Sequence, residues 1–196
     1  LGSQILINVT VQAPPMPVIN SSLNAAGTNG SVFSYQITAT NIPTSFGASG
    51  LPAGLAINTM SGVISGTPTV GGSFMVPISA TNAGGTGNAT LTISLNPAAQ
   101  TITFPVQSPA TRAFSPSPSN TFAINPLATS TSGLTDSYVS KTLAVCTVAG
   151  TTVTMLTAGT CTIGANQAGN ASYTVATEVT RSVTITPILR GAPTMA

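Results

Sequence analysis

The sequence predicts an all-β protein of two tandem β-sandwiches with an extra N-terminal strand. Short runs that alternate apolar and polar residues recur along all 196 residues, and turn signals rich in Pro and Gly separate them. Nowhere do apolar residues recur with a helical period over ten or more positions. Many short strands at this spacing are typical of β-sandwiches.

Three of these runs share one design, an alternating strand that ends at proline. They read LINVTVQAPP near the start of the chain, TLTISLNPAA at residues 90–99 and SVTITPIL at residues 182–189. A repeated strand of this kind closes a body, so the second and third runs predict where two bodies end. The predicted domains are residues 16–97 and 99–187, followed by a tail over residues 188–196.

The first run is left over, because three closing strands serve two bodies. On one face of this strand would lie Ile5, Ile7, Val9 and Val11. Burying a β-branched side chain is worth roughly 1.5–3 kcal/mol, whereas ordering the backbone costs roughly 1–2 kcal/mol per residue. The two contributions nearly cancel, so the strand needs a complementary groove to stay ordered. We therefore expect residues 1–13 either to donate a strand to a sheet or to be the remnant of a preceding module.

Charge is almost absent from the chain. Charged residues make up 3%, against about 25% in ordinary globular proteins, and all of them lie beyond residue 111. The 22 Ser and 33 Thr residues interrupt every apolar run, so no stretch approaches the roughly 18 consecutive apolar residues of a membrane span. The four basic residues are too scattered to form a patch for nucleic acid. A net charge of +2 fits either an acidic or salty setting or a chain that assembles.

The two cysteines flank a strand–turn–strand pattern, AVCTVAGTTVTMLTAGTCTI. Cys146 and Cys161 are either buried thiols or a disulfide. We predict the disulfide, because the rest of the chain is typical of an extracellular protein. Closing a loop of this length stabilises the fold by about 3 kcal/mol on the chain-entropy model. With no His and no second Cys pair, the sequence predicts no zinc site.

The first body carries the marks of a known family. The segments GLPAGLAIN (50–58), SGVISGTP (61–68) and ISATNAGGTG (78–87) resemble the putative Ig domains of large bacterial surface and secreted proteins. The resemblance implies an Ig-like β-sandwich. It also implies a role as a spacer, an adhesive unit or a building block of the cell surface.

The second body is similar to another bacterial Ig-like repeat, which often occurs in tandem with the first. Its marks are QTITF (100–104), VCTVAGTTVTMLTAGTCTI (145–163) and QAGNASY (167–173). Together the two resemblances imply two tandem Ig-like β-sandwiches in a secreted, extracellular protein of the cell surface.

No catalytic set stands out in the sequence. A Ser or Thr nucleophile needs a nearby base, and the chain has no His. We expect Asp136, Glu178 and Lys141 to be solvated surface residues. Some bacterial surface Ig-like domains join Lys to Asn through an isopeptide bond with the help of a buried acid. Lys141 with Glu178 or Asp136 leaves that reaction open.

The sequence also predicts no enzymatic activity, no cofactor and no metal site. Calcium between modules needs several carboxylates, and the junction SLNPAAQT has none.

The leading hypothesis for function is a structural subunit of a bacterial extracellular filament or surface assembly. Residues 4–12 would complete the sheet of a neighbouring copy, a head-to-tail contact that propagates into a fibre. One alternative is a spacer or adhesive fragment of a large modular adhesin. The other is a carbohydrate-binding module that holds host or cell-surface glycans through exposed aromatics. For Phe33, Tyr35 and Phe74, however, we predict places in the core of the first body.

Overall fold

The computed structural model describes residues 12–116 and 118–188. The regular elements in these stretches are all β-strands, and they form two compact units that divide between Ala98 and Ala99. The all-β prediction is therefore confirmed for the described residues. The predicted contact strand with Ile5, Ile7, Val9 and Val11 lies outside them, as do residues 189–196 of the predicted tail.

In the described residues of the first body, turns at Gly and Pro separate seven strands. They are β1 (Asn24–Thr28), β2 (Phe33–Gln36), β3 (Ser45–Ala48), β4 (Leu55–Ile57), β5 (Val63–Gly66), β6 (Gly72–Asn82) and β7 (Gly85–Asn96). The alternating sequences of β6 and β7 form one long antiparallel hairpin that pairs Gly72 with Leu95 at one end and Asn82 with Gly85 at the other. The two strands of this hairpin form the centre of a four-stranded sheet.

The strands of the first body form two sheets around one core. The first sheet has the order β1-β7-β6-β3, with β1 parallel to β7 and the other neighbours antiparallel. The second has the order β2-β5-β4, and the segment before β1 extends it, since the Thr40 N–H donates to the Val18 oxygen at 2.9 Å. The buried core consists of Phe33, Ile37, Ile64, Val76, Ile78, Leu91, Ile93 and Leu95. Tyr35 and Phe74 pack against this core, as predicted.

The second body repeats this arrangement in its own described residues. Its strands are β8 (Ile102–Thr103), β9 (Thr111–Ala113), β10 (Thr121–Ala123), β11 (Thr129–Ser130), β12 (Ser137–Ser140), β13 (Cys146–Ala149), β14 (Thr152–Met155), β15 (Gly159–Asn166) and β16 (Val179–Thr186). The sheets have the orders β12-β15-β16-β9 and β10-β14-β13, and β8 pairs with β11. The short β9 runs parallel to β16, as β1 does to β7. Each body is therefore an Ig-like β-sandwich whose last strand lies inside a four-stranded sheet.

A disulfide lies in the core of the second body. Cys146 on β13 and Cys161 on β15 are bonded, with their Cα atoms 5.6 Å apart and no exposed surface on either residue. Because β13 and β15 belong to different sheets, this bond joins the two layers of the sandwich. Ile163, Val153 and Val183 pack in the same buried cluster.

Candidate functional site

A buried amide side chain closes one end of the first body. Asn82, the last residue of β6, is only 8% exposed. Its Nδ2 donates to the Pro15 oxygen at 2.9 Å and to the Asn41 oxygen at 2.7 Å, and its Oδ1 accepts the Gly84 N–H at 2.7 Å. One side chain thus pairs with backbone groups from three segments: the residues before β1, the β2–β3 connection and the β6–β7 turn. We call these four residues the amide clamp.

Further contacts hold the segment before β1 against the clamp. The Asn41 Nδ2 donates to the Met16 oxygen at 2.8 Å. A Cβ atom added to Gly84 would lie 1.8 Å from the Pro14 oxygen, so the two backbones meet too closely for any other residue. The path of the chain into the first body is therefore fixed at Pro14, Pro15 and Met16.

The second body has a clamp of the same design. Gln167 follows β15 directly and is 7% exposed. Its Nε2 donates to the Thr135 oxygen at 2.7 Å, and its Oε1 accepts the Gly169 N–H. Gln100, near the start of this body, donates to the Thr174 oxygen at 2.6 Å. In both bodies an amide residue, an alanine and a glycine follow each other at the end of the second-to-last strand, where the chain leaves β6 or β15.

The clamps use amide groups where a charged site would use carboxylates. Each amide NH₂ group donates to backbone carbonyl oxygens, so those oxygens are already satisfied without a cation. Within residues 12–116 and 118–188 there is no group of three or more His, Cys, Asp or Glu side chains that could hold a metal ion. The clamps therefore act by holding backbone segments in position.

An apolar cavity opens beside the clamp of the first body. It has a volume of about 400 Å³ and is lined by Pro14, Pro15, Asn41, Ile42, Thr44, Asn82 and Ala83. Ile42 is 88% exposed and has a φ of +49°. A left-handed backbone is a genuine outlier for a β-branched residue. The fold therefore holds a large apolar side chain in water at the rim of an apolar cavity.

The structure brings Lys141 together with Glu178, and Asn166 joins them. The Lys141 Nζ lies 2.8 Å from the Glu178 Oε1, and the Asn166 Nδ2 donates to the same oxygen at 3.0 Å. The Lys141 and Asn166 donors hold the pKa of Glu178 below its usual value. The Lys141 and Glu178 side chains keep 44% and 29% of their surface exposed. An isopeptide bond would need an uncharged amine beside a protonated, buried acid, whereas this arrangement is a hydrated ion pair.

Asp136 lies elsewhere in the second body, at a cavity of about 250 Å³ whose wall includes Leu134 and Tyr138. Burial raises the pKa of Asp136, although a hydrogen bond with Ser130 lowers it in part. The Asp136 Oδ1 is buried and has no hydrogen-bond partner. Burial also raises the pKa of Tyr138, whose hydroxyl accepts the Ala128 N–H at 2.8 Å. Asp136 is therefore half-buried beside an apolar wall and not fully solvated.

The aromatic side chains offer no platform for stacking sugars. The chain has three Tyr and six Phe, and every one is buried or half-buried. Phe104 and Tyr138, for example, pack with ring centroids 5.6 Å apart, and Arg112 covers the ring of Phe122 at 4.4 Å. A row of exposed rings, which the carbohydrate-binding alternative needs, is not present among them.

Three kinds of comparison bear on these observations. The chain matches no curated protein sequence. Among solved structures it is similar to a "putative alpha-galactosidase" of Bacteroides fragilis, with 26% identity over 47% of this chain and 22% of that one, at a TM-score of 0.40. It is also similar to repeats EC1-2 of human protocadherin-24 (13% identity, 89% and 99% coverage, TM-score 0.42) and to repeats EC1-4 of Drosophila N-cadherin (15% identity, 87% and 49% coverage, TM-score 0.43). The chain thus spans about a fifth of the length of the galactosidase, and TM-scores of this size carry no functional argument.

No helix among the described residues is both long enough and apolar enough to cross a membrane. The family comparison agrees with the motifs of the first body. Residues 16–96, from the clamped segment to the end of β7, match the family described as "Putative Ig domain".

Proposed function

We propose that the chain is a structural segment of a modular bacterial extracellular protein, in which Ig-like bodies space or present neighbouring parts and catalyse no reaction. The observation that carries this proposal is the repeated amide clamp, because both bodies use buried amide side chains to fix the chain path. Ig-like sandwiches typically have no enzymatic role. A disulfide buried between two sheets fits an oxidising, extracellular setting.

We further propose that residues 4–12 are the last strand of another Ig-like sandwich. Support comes from their sequence, because INVTVQ (7–12) matches LTISLN (91–96) of β7 position for position in the apolar–polar pattern. In that alignment Ile7, Val9 and Val11 correspond to Leu91, Ile93 and Leu95. These three residues of β7 are 0%, 0% and 3% exposed, so the matching face would be buried in the same way.

The sandwich that receives this strand could belong to a neighbouring copy or to the same polypeptide. The first source makes the chain a filament subunit, joined head to tail by strand addition. Strand addition by residues 4–12 is favoured by their alternating pattern and by the near absence of charge on the surface. In the described residues, however, β7 and β16 already occupy the last-strand places of both bodies. A neighbouring copy would thus have to offer an open sheet edge or a further body.

A strand replacement tests whether residues 7–12 are a last strand. In the test variant, residues 7–12 replace residues 91–96 within β7. In the matched control, residues 6–11 replace them, which turns Asn8 and Thr10 toward the core. We expect the first variant to keep the two-sheet fold, with its unfolding midpoint lowered by a few degrees, and the control to lose the fold of the first body. If both variants unfold alike, the strand assignment is wrong.

Electron microscopy then distinguishes a sandwich that belongs to a neighbouring copy from one that belongs to the same polypeptide. The purified chain is compared with a variant that lacks residues 1–13. Regular filaments formed by the full chain alone identify a polymerising subunit. If both proteins stay monomeric and equally stable, the chain is a spacer segment whose first strand belongs to a module of the same polypeptide.

A further inference from the structure

We propose that the clamped end of the first body is a docking surface for the Ig-like sandwich that residues 4–12 complete. The inference rests on the proposed strand assignment and adds to it the place where that sandwich comes to rest. The surface consists of Pro14, Pro15, Ile42 and Ala83, with the amide clamp beneath it.

The docking surface is apolar and carries no charge. The four residues surround a cavity of about 400 Å³, and no charged residue occurs anywhere in residues 1–111. The polar side chains that line the cavity are Asn82, Asn41 and Thr44, and each already donates a hydrogen bond to a backbone oxygen. A neighbour can therefore cover this end without stripping water from an unpaired charge. The neutral end of another Ig-like sandwich fits such a surface.

Ile42, in the docking surface, is both exposed and strained. Its side chain is 88% exposed although its backbone has a φ of +49°, a conformation in which Asn or Gly causes far less strain. A strained residue is retained where its side chain has a use. Covering Ile42 and the adjoining prolines with an apolar neighbour supplies that use, because it removes the exposed side chain from water.

The stretch of chain between Val11 and Pro14 is short. Three Cα–Cα steps of 3.8 Å separate Val11 from Pro14, so the two residues can be at most about 11 Å apart. Pro14 lines the cavity, and the Asn82 clamp fixes Pro15 beside it. Any sandwich that holds Val11 in its last strand must then lie directly over this end. The occupant is the same whether that sandwich comes from a neighbouring copy or from the same polypeptide.

A fusion provides the occupant in a defined form. Residues 16–90 are placed directly before Ile7 of the chain, so that residues 7–12 become the end of the last strand of an added body. The fusion and the native chain each carry one new thiol, at Ile42→Cys of the original first body. The matched control is Met75→Cys, on the outer face of β6 and 76% exposed. The two native cysteines form a buried disulfide, so the new thiol is the one that reacts with a disulfide reagent.

We expect the thiol at residue 42 to react at least tenfold more slowly in the fusion than in the dilute native chain, and the thiol at residue 75 to react equally in both. Calorimetry of the fusion shows whether the added body folds. If it folds and residue 42 stays as reactive as in the native chain, the docking surface is overturned while the strand assignment stands. If the added body does not fold, the strand assignment fails and the docking surface falls with it.

Discussion

The Asn82 side chain donates to the Pro15 backbone oxygen at 2.9 Å, which ties the end of β6 to a residue 67 positions earlier. The same nitrogen reaches the Asn41 oxygen, and the two bonds form together only when three segments of the chain have met. Buried polar groups of this kind are costly when half-satisfied and specify a single arrangement when fully satisfied. The amide clamp therefore determines which way the chain enters the first body.

Replacing Asn82 by Asp tests the clamp. A carboxylate cannot donate, so the Pro15 and Asn41 oxygens lose their partner and face a negative charge. We expect the first body to lose about 2–3 kcal/mol of unfolding free energy at pH 7. Some of this loss should be recovered at pH 3, where the protonated acid can donate once. Asn88→Asp, at an exposed position on β7, is the matched control and should change stability by less than about 0.5 kcal/mol. If the two variants have equal effects in chemical denaturation, the clamp does not stabilise the first body.

Replacing Ile42 by Asn should stabilise the isolated chain. Asn tolerates a positive φ, so the variant releases backbone strain at a position where the lost side chain contributes little to the core. We expect a gain of about 1 kcal/mol in the first body, measured by urea denaturation. Val32→Asn is the control, because Val32 is equally exposed and is not among the residues with a positive φ. A loss of stability in Ile42→Asn would show that Ile42 packs within the body itself.

Removing the disulfide should weaken the second body alone. The bond closes a loop with a sequence separation of 15, for which the chain-entropy model gives about 3 kcal/mol. We expect the double variant Cys146→Ala, Cys161→Ala to lower the calorimetric transition of the second body and leave that of the first in place. Since both sulfurs are buried, the native bond should resist reductant until the body unfolds. Rapid reduction under native conditions would contradict this account.

The two carboxyl groups of the chain should give the second body opposite pH responses. The pKa of Glu178 is lowered by Lys141 and Asn166, so its stabilising effect is present at neutral pH and is lost as the pH falls through the lowered pKa. The pKa of Asp136 is raised above its ordinary value of 3.8, so its contribution is full below that value and is lost as the pH rises through the raised pKa.

Calorimetry at pH 3 and pH 7 tests the direction of both pH responses. Asp136→Asn should raise the unfolding midpoint of the second body at pH 7 and leave it near the native value at pH 3. Glu178→Gln should lower the midpoint at pH 7, and this effect should be smaller at pH 3. The first body has no Asp, Glu, Lys, Arg or His within residues 12–98, so its midpoint should be the same at both pH values in all three proteins. A shift in the first transition would show that the carboxyl groups act beyond their own body.

The sequence was most informative where strands alternate. The apolar faces of β6, β7 and β16 follow directly from their period of two, and Phe33 and Phe74 lie on the core side as expected. The parallel strands β1 and β9 were not predicted. NAAGT and TRA have no alternating pattern, and their pairing depends on strands about 70 residues away. The meeting of Lys141, Glu178 and Asn166 depends in the same way on how three separate segments come together.

The clamp could have been found from a repeat that was not recognised. Asn82-Ala83-Gly84 and Gln167-Ala168-Gly169 each place an amide two residues before a glycine, where the strand that precedes the last strand of the body ends. The sequence does not show that the amide side chains point into the fold, because their direction depends on the segment before β1 lying within reach. Ile42 gave no sequence signal, because a left-handed backbone is the expectation for Gly or Asn and not for Ile.

The disulfide gives the two bodies different lengths when they are pulled from their ends. An unfolded first body extends along its whole contour. An unfolded second body keeps the segment from Cys146 to Cys161 closed, so about 50 Å of chain stays withheld for a sequence separation of 15. A tether made of such pairs would lengthen in two unequal steps as its bodies unfold. An oxidising environment would preserve the disulfide and therefore the shorter extension of the second body.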